Sequence, residues 1–117
     1  MDITQQIRDE RLRQIDVEGY DAQHDAQHVC GEIIQAALCY EASGLGKPDL
    51  GPDGVPKTWP WEGASWNPKG GVADLVRAGA LATAEQDRRR LAGLPPDPVA
   101  ERIISDTKTG RAAPSLR

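Results

Sequence analysis

A segment rich in glycine and proline, residues 43–71, separates two helical patterns and constrains the fold of this chain more than any other feature. Because proline and glycine interrupt helices and strands, the segment predicts a long irregular connection. Connections longer than about 15 residues are uncommon in small domains and are either disordered or functional. The second half of this one holds all three tryptophans, Trp59, Trp61 and Trp66. Since disordered segments are poor in aromatic residues, we expect an ordered loop that folds back onto the helices.

The core available to such a loop is thin. Hydrophobic residues make up 38% of the 117 residues, phenylalanine is absent, and many apolar positions are alanine. Stability then depends on close helix contacts or on association of subunits, and we expect a homo-oligomer. The tryptophans either supply the missing bulk as core filling, or line a pocket with aromatic rings and indole N–H donors.

Apolar residues recur with helical spacing in three stretches outside the loop. They predict a first helix over residues 2–17, a second over residues 21–42 and a third over residues 72–91. The fold class is therefore mainly α, a small three-helix domain with a long irregular loop between helices 2 and 3. The apolar side of the third helix is expected to comprise Val72, Ala73, Val76, Ala80, Ala84 and Leu91.

The chain beyond the third helix is expected to extend this domain. Asp97 suits a helix N-cap and Pro98 suits the first helical position, so a short helix to about Ser105 is predicted, followed by a flexible tail. The predicted organisation is one helical domain over residues 1–93 with a C-terminal extension over residues 94–117.

The net charge of −4 argues against nucleic-acid binding, because such proteins neutralise phosphates with an excess of basic residues. The chain shows no signal-peptide pattern and no apolar run of about 18 residues, so we expect no membrane association and a cytoplasmic location. In that compartment Cys30 and Cys39 are expected to be reduced and structural.

His24 and His28 lie one turn apart on the polar face of the predicted second helix, and Glu32 lies one turn further. Imidazoles at this spacing can share a divalent metal, to which the carboxylate would add an oxygen ligand. The same histidines could instead hold the tryptophan loop to the helix by hydrogen bonds, or lie on a solvated face. No cofactor is expected, and a divalent metal is the one candidate.

Glu32 and Glu85, on two different helices, support a second interpretation. Facing carboxylates bind magnesium in all-helical nucleotide pyrophosphohydrolases, but those enzymes carry two glutamates three apart on one helix, a pair that the predicted second helix lacks. A metal-dependent nucleotide hydrolase built on His24, His28, Glu32 and Glu85 is therefore the alternative function. Residues Arg88, Arg89 and Arg90 favour a solvated helix end over a phosphate site, because cations suit helix C-termini.

Several short motifs form a longer pattern over about residues 8–90. Its helical part contains Glu18-Gly19-Tyr20, His24-Asp25, His28, Gly31-Glu32, Ala36-Ala37 and Tyr40. Its later part contains Trp59-Pro60-Trp61, Trp66, Pro68, Asp74 to Leu81, Glu85 and Asp87-Arg88. The combination resembles a family of short proteins encoded by tailed phages and prophages. The chain departs from that family where Tyr20 replaces a tryptophan, and where Trp66 stands alone instead of in a pair.

The resemblance implies a phage accessory protein that acts in the cytoplasm of a host cell. Such proteins often inhibit host defence, by sequestering a nucleotide signal or by binding a defence protein. We therefore predict a non-catalytic binder of a small nucleotide-like ligand or a host protein; a structural or regulatory phage protein is a further alternative. Rings would stack on a base, while imidazoles and arginine would bind phosphate. The candidate ligand-binding residues are Tyr20, His24, His28, Trp59, Trp61, Trp66 and Arg88.

Overall fold

The computed structural model describes residues 3–16 and 31–109. These residues contain helices and one isolated β-bridge between Leu50 and Pro56, with no β-strand among them, so the predicted mainly α class is confirmed. No helix within the described ranges is both long and apolar enough to cross a membrane. The helices are α1 (Ile3–Asp16), α2 (Glu32–Gly44), α3 (Gly71–Leu91) and α4 (Pro98–Thr109), with a short 3-10 helix at Gly63–Ser65.

Helix α3 lies at the centre of the fold and packs against α1, α2 and α4. All residues from 74 to 82 are buried, so this part of the helix is enclosed on every side. The predicted single apolar side is therefore wrong at its ends, since Val72, Ala73 and Leu91 are exposed. The apolar periodicity of α3 predicted one buried face, because periodicity reports only the polarity of the side chains. In the fold, three neighbouring helices cover the polar positions of α3 as well.

The core between these helices is built largely from small residues, as its composition predicts. Seven alanines are buried with at most 1% of their surface exposed, which allows the helix backbones to approach closely. The larger side chains in the core include Ile33 of α2, Leu81 of α3 and Ile103 of α4. Trp59, Trp61 and Trp66 pack against this cluster as partly buried rings, and the loop therefore folds back onto the helices.

Helix α2 begins at Glu32, which corrects the prediction of an unbroken helix from residue 21. Gly31 has a φ of 83°, a left-handed conformation that an α-helix cannot continue through. Apolar periodicity does not reveal such a break, because it records side-chain polarity and not backbone conformation. The predicted helical residues before Gly31 lie outside the described part of the chain.

Two glycines follow the ends of helices. Gly46 follows α2 with a φ of 76°, and the Lys47 amide donates to the carbonyl of Ala42 at 2.9 Å. Gly93 follows α3 with a φ of 75°, and the Leu94 amide donates to the carbonyl of Arg89 at 2.8 Å. Both are Schellman-type ends that satisfy carbonyls left without a helical partner.

Helix α4 starts as predicted, with the Asp97 carboxylate accepting from the Val99 amide at 2.8 Å. It continues to Thr109, one turn past the predicted end. Ala100 and Ile103 are completely buried in the core, and Arg102 forms two 3.0 Å hydrogen bonds with Glu41 of α2. The described part of the C-terminal extension thus packs onto the first three helices, while the proposed division at residue 93 stays a prediction.

Gly44 and Gly79 mark two close approaches to other elements of the fold. A Cβ atom at Gly44 would lie 2.7 Å from Leu75 Cγ and 2.9 Å from the carbonyl oxygen of Gly71. A Cβ atom at Gly79 would meet the flexible end of Ile7, at 2.9 Å from Cδ1. The backbone oxygen at the first site cannot rotate away, whereas the side-chain end at the second site can move.

We therefore expect Gly44→Ala to lower the free energy of unfolding by about 1–2 kcal/mol, because the overpacking cost exceeds the gain in helix propensity. Gly79→Ala should cost less, since Ile7 can adjust. Urea unfolding monitored by tryptophan fluorescence compares the two variants. An equal effect at both sites would contradict the assignment of the Gly44 contact as the more rigid one.

Candidate functional site: an aromatic-lined cavity

Four aromatic rings meet where the tryptophan loop crosses α2. Tyr40 stacks on Trp66, with ring centroids 4.7 Å apart and an angle of 29° between the planes. Trp59 lies edge-on to Tyr40 at 5.6 Å and to Trp61 at 5.4 Å. These spacings fall within the range in which aromatic pairs attract each other, so the rings form one aromatic cluster.

The loop that carries the tryptophans is held by its own hydrogen bonds. The Trp59 indole N–H donates to the carbonyl of Glu62 at 3.1 Å and to the Ser65 hydroxyl at 3.2 Å. The Ser65 hydroxyl in turn donates to the same carbonyl at 2.6 Å. Because these bonds surround the 3-10 turn, they fix the orientation of Trp59 within the aromatic cluster.

Asp74 fastens the end of the loop to two helices. Its carboxylate is completely buried and accepts hydrogen bonds from the Ser43 hydroxyl at 2.7 Å, the Lys69 amide at 2.9 Å and the Gly70 amide at 2.8 Å. Arg77 lies 3.8 Å from the same carboxylate. This single side chain therefore joins the end of α2, the loop and the start of α3.

A cavity of about 380 Å³ lies beside the aromatic cluster and is bounded by the loop, α1, α2 and α3. A volume of that order suits one small organic molecule. One wall is aromatic and apolar, and another is polar. The lining residues are Glu10, Arg13, Gln14, Tyr40, Trp59, Trp61, Ala64, Ser65, Trp66, Asn67, Arg77 and Leu81.

The polar wall comes from α1. Arg13 donates two hydrogen bonds of 2.8 Å to the two carboxylate oxygens of Glu10. The Gln14 amide also donates to Glu10, at 3.2 Å. Only 2% of the Gln14 surface is exposed. Glu10 is thus held by two neighbours, and the wall contains a fixed ion pair beside a buried amide.

Arg77 supplies a second cation to the cavity. Its guanidinium lies over the Tyr40 ring, 5.1 Å from the ring centroid, and donates to the carbonyl of Asn67. Glu10, Arg13 and Arg77 also border a neighbouring depression of about 330 Å³, which Lys69 and Asp9 line as well. That depression therefore has three cationic side chains against two carboxylates.

The structure brings together part of the predicted ligand set. Trp59, Trp61 and Trp66 line one cavity and also pack against the core. The same aromatic cluster therefore combines core filling with pocket lining, the two roles considered for these rings. Tyr20, His24 and His28 lie outside the described residues. Arg88 is elsewhere on α3, where it is paired with Glu85, and it is not among the described residues that line the cavity.

Sequence reasoning missed the contributions of α1 and α2 to this cavity. Ile3, Ile7, Glu10 and Gln14 follow one another at helical spacing, so Gln14 continues the stripe that Ile7 buries against α3. Glu10 and Gln14, two polar residues that continue an apolar stripe, were therefore a sequence signal for a polar site. Tyr40 gave a weaker signal, because an aromatic residue in an alanine-rich helix is as consistent with core packing.

The residues considered for metal binding are only partly described. Among residues 3–16 and 31–109, no three His, Cys, Asp or Glu side chains are grouped to hold a metal ion. His24 and His28 lie outside these ranges, so the metal set that they would form with Glu32 stays a prediction. Glu85 receives two short hydrogen bonds from Arg88, of 2.7 and 2.9 Å, which occupy its carboxylate.

The three arginines at the end of α3 also have partners. Arg89 donates to the carbonyl of Pro95 at 2.6 Å, and Arg90 lies 3.6 Å from Asp87. Arg88 is bound to Glu85. The positive charges of the three arginines also suit the negative end of the helix dipole, as predicted for a solvated helix end.

Cys39 is a buried free thiol at 3.5 Å from the Thr58 hydroxyl. Burial raises the pKa of this thiol above its ordinary value, against weaker opposing effects of hydrogen bonds with Thr58 and Gln35. A raised pKa leaves less thiolate at neutral pH, and the thiolate is the reactive form. Cys39 therefore has the character of a packing residue and not of a nucleophile.

Comparisons of the chain with protein families, with curated proteins and with solved structures gave no match.

Proposed function

We propose that the protein is a non-catalytic binder of a small nucleotide-like ligand, which occupies the aromatic-lined cavity. The observation that carries this proposal is the joint presence of four aromatic rings, a buried amide and two guanidinium groups around one space of about 380 Å³. Aromatic rings bind the faces of planar bases, and amides bind their edges.

The charges around the cavity support a ligand with an acidic end. Arg13 and Arg77 border both the cavity and the neighbouring depression, where Lys69 adds a third positive charge. A base in the cavity would place its phosphate toward these cations. The carboxylates of Asp9 and Glu10 reduce the local charge, so this arrangement favours one phosphate group over a polyphosphate.

A biological role follows from the resemblance to short proteins of tailed phages and prophages. We propose that the chain is a phage accessory protein whose cavity sequesters a nucleotide signal of host defence. A binder that performs no chemistry fits the site, because Glu10, the acidic side chain among the described residues that line the cavity, is engaged by Arg13 and Gln14. The alternative role that we propose for such an accessory protein is to bind a host defence protein.

Titration calorimetry with a panel of nucleoside monophosphates and cyclic nucleotides tests the proposal, with chromatography to recover the ligand. We expect one class to bind, to raise the melting temperature and to be recovered intact. Consumption of a nucleotide that requires divalent metal would instead support the hydrolase built on His24, His28, Glu32 and Glu85. Light scattering in the same samples measures the proposed homo-oligomer.

Trp61→Ala is expected to weaken nucleotide binding about tenfold or more, because one base-stacking surface is lost. Trp61 is suited to this test because its ring meets the aromatic cluster through Trp59. Leu91→Ala, at an exposed position on the far end of α3, is the matched control and should bind as the unaltered protein does. Equal binding by the two variants would exclude the cavity as the ligand site.

A further inference from the structure

The guanidinium of Arg77 is a buried cation at the border between the aromatic-lined cavity and the neighbouring depression. Its side chain is 8% exposed and lies over the Tyr40 ring, 5.1 Å from the ring centroid. Arg77 borders both spaces, and two further cations, Arg13 and Lys69, border the depression. The position of Arg77 therefore allows it to contact a ligand that extends from the cavity into the depression.

Arg77 makes few hydrogen bonds for a buried guanidinium. Its Nη1 atom donates to the carbonyl of Asn67, whereas Nε and Nη2 donate to none of the residues that the structure describes. Both of these nitrogens nevertheless keep some accessible surface, since neither is a fully buried atom without a partner. Because the described spaces beside this side chain are the cavity and the depression, the two donors open toward them.

Asp74 compensates the charge of Arg77 only in part. Its Oδ1 atom lies 3.8 Å from Nη1 of Arg77, which is too far for a hydrogen bond. The same carboxylate already accepts from Ser43, Lys69 and Gly70. A buried cation is costly unless it is both paired and hydrogen-bonded. A ligand anion that reached Nε and Nη2 would supply both, so its binding is favoured.

We propose that Arg77 selects ligands with a terminal phosphate, as in a nucleoside 5′-monophosphate, over nucleosides and cyclic phosphodiesters. Nε and Nη2 form one edge of a planar guanidinium, which binds two phosphate oxygens in parallel. A terminal phosphate carries a charge of about −1.5 to −2 at neutral pH and three free oxygens, whereas a phosphodiester carries a single charge and two such oxygens. The third oxygen and the additional charge suit Arg13 and Lys69. This inference rests on the proposed function and adds the type of phosphate.

Three ligands with the same base test the proposal on the full chain: the nucleoside, its 5′-monophosphate and its 3′,5′-cyclic monophosphate. Titration calorimetry compares them for adenine, guanine, cytosine and uracil. In a series that binds, the 5′-monophosphate is expected to bind about tenfold more tightly than the other two, as bidentate, charge-assisted hydrogen bonds predict. Equal or tighter binding of the nucleoside or the cyclic form would overturn this inference and leave the proposed function in place. Binding in none of the four series would overturn both.

Arg77→Met, which keeps the apolar stem and removes the guanidinium, separates ligand binding from a structural role. The affinity of the 5′-monophosphate should fall to within about threefold of that of the nucleoside. A structural role alone would lower both affinities and leave their ratio unchanged, and that result would overturn the role of Arg77. Lys57→Met removes a charge at an exposed position outside the cavity and the depression, so it is the matched control and should keep the preference.

Arg77→Lys keeps the charge beside Asp74 and serves in place of Arg77→Met if that variant does not fold. A lysine lacks the planar edge that binds two oxygens at once, so Arg77→Lys should also lose most of the preference for the 5′-monophosphate. An unchanged preference in Arg77→Lys would show that the charge alone suffices and would overturn the assignment of the paired donors.

Discussion

Asp74→Ala is expected to lower the free energy of unfolding by about 3–5 kcal/mol. The carboxylate is completely buried and accepts from Ser43, Lys69 and Gly70. Its loss leaves these donors without an acceptor and leaves the buried Arg77 without its neighbouring negative charge. Because the three donors come from α2 and the loop, the aromatic cluster should loosen as well.

Chemical unfolding followed by tryptophan fluorescence measures this loss, since all three tryptophans belong to the cluster. Asp87→Ala is the matched control on the same helix, because the Asp87 side chain is 46% exposed and forms one surface ion pair with Arg90 at 3.6 Å. Its effect should stay within about 0.5 kcal/mol. Asp74→Asn keeps the shape and part of the accepting capacity, so it should fall between the two. An Asp74→Ala variant as stable as Asp87→Ala would contradict the anchoring role.

Glu85→Ala should produce a loss of similar size, about 3–5 kcal/mol, because it removes the carboxylate that binds the buried guanidinium of Arg88. The pair has two hydrogen bonds of 2.7 and 2.9 Å, and the two side chains are 7% and 2% exposed. Arg89 lies 3.9 Å from the same carboxylate and would lose this ion pair as well.

The double substitution Glu85→Leu with Arg88→Met is the critical comparison. Buried ion pairs replaced together by apolar residues often leave stability unchanged or increased, because the desolvation of two charges is removed. We therefore expect the double variant to be close in stability to the unaltered protein. A double variant as unstable as Glu85→Ala would contradict this expectation and would show that other contacts of the two side chains, such as that of Glu85 with Arg89, stabilise the fold.

The same double variant discriminates between functions. Arg88 was predicted as a ligand-binding residue and Glu85 as a metal ligand in the alternative hydrolase. If the ligand occupies the aromatic-lined cavity, nucleotide affinity should be the same in the double variant. A loss of binding in a folded double variant would move the ligand site toward the end of α3.

The sequence determined the helices and the loop. Apolar spacing located α1 and α3, and the clustered tryptophans indicated a loop that folds back onto the helices. These features are local or depend on composition, and local chemistry is visible in a sequence. The alanine-rich core was likewise evident, since few larger side chains were available to fill it.

Tertiary structure decided the rest. Gly31 interrupts the predicted second helix through a backbone conformation that side-chain periodicity does not record. Helix α3 is enclosed on all sides because three other helices pack on it, which buries Asp74 and Arg77 among apolar residues. The candidate site joins Gln14, Tyr40 and the tryptophans from three separate segments of the chain. Their proximity depends on how α1, α2 and the loop pack around α3, and that packing is a property of the folded chain that no local sequence pattern expresses.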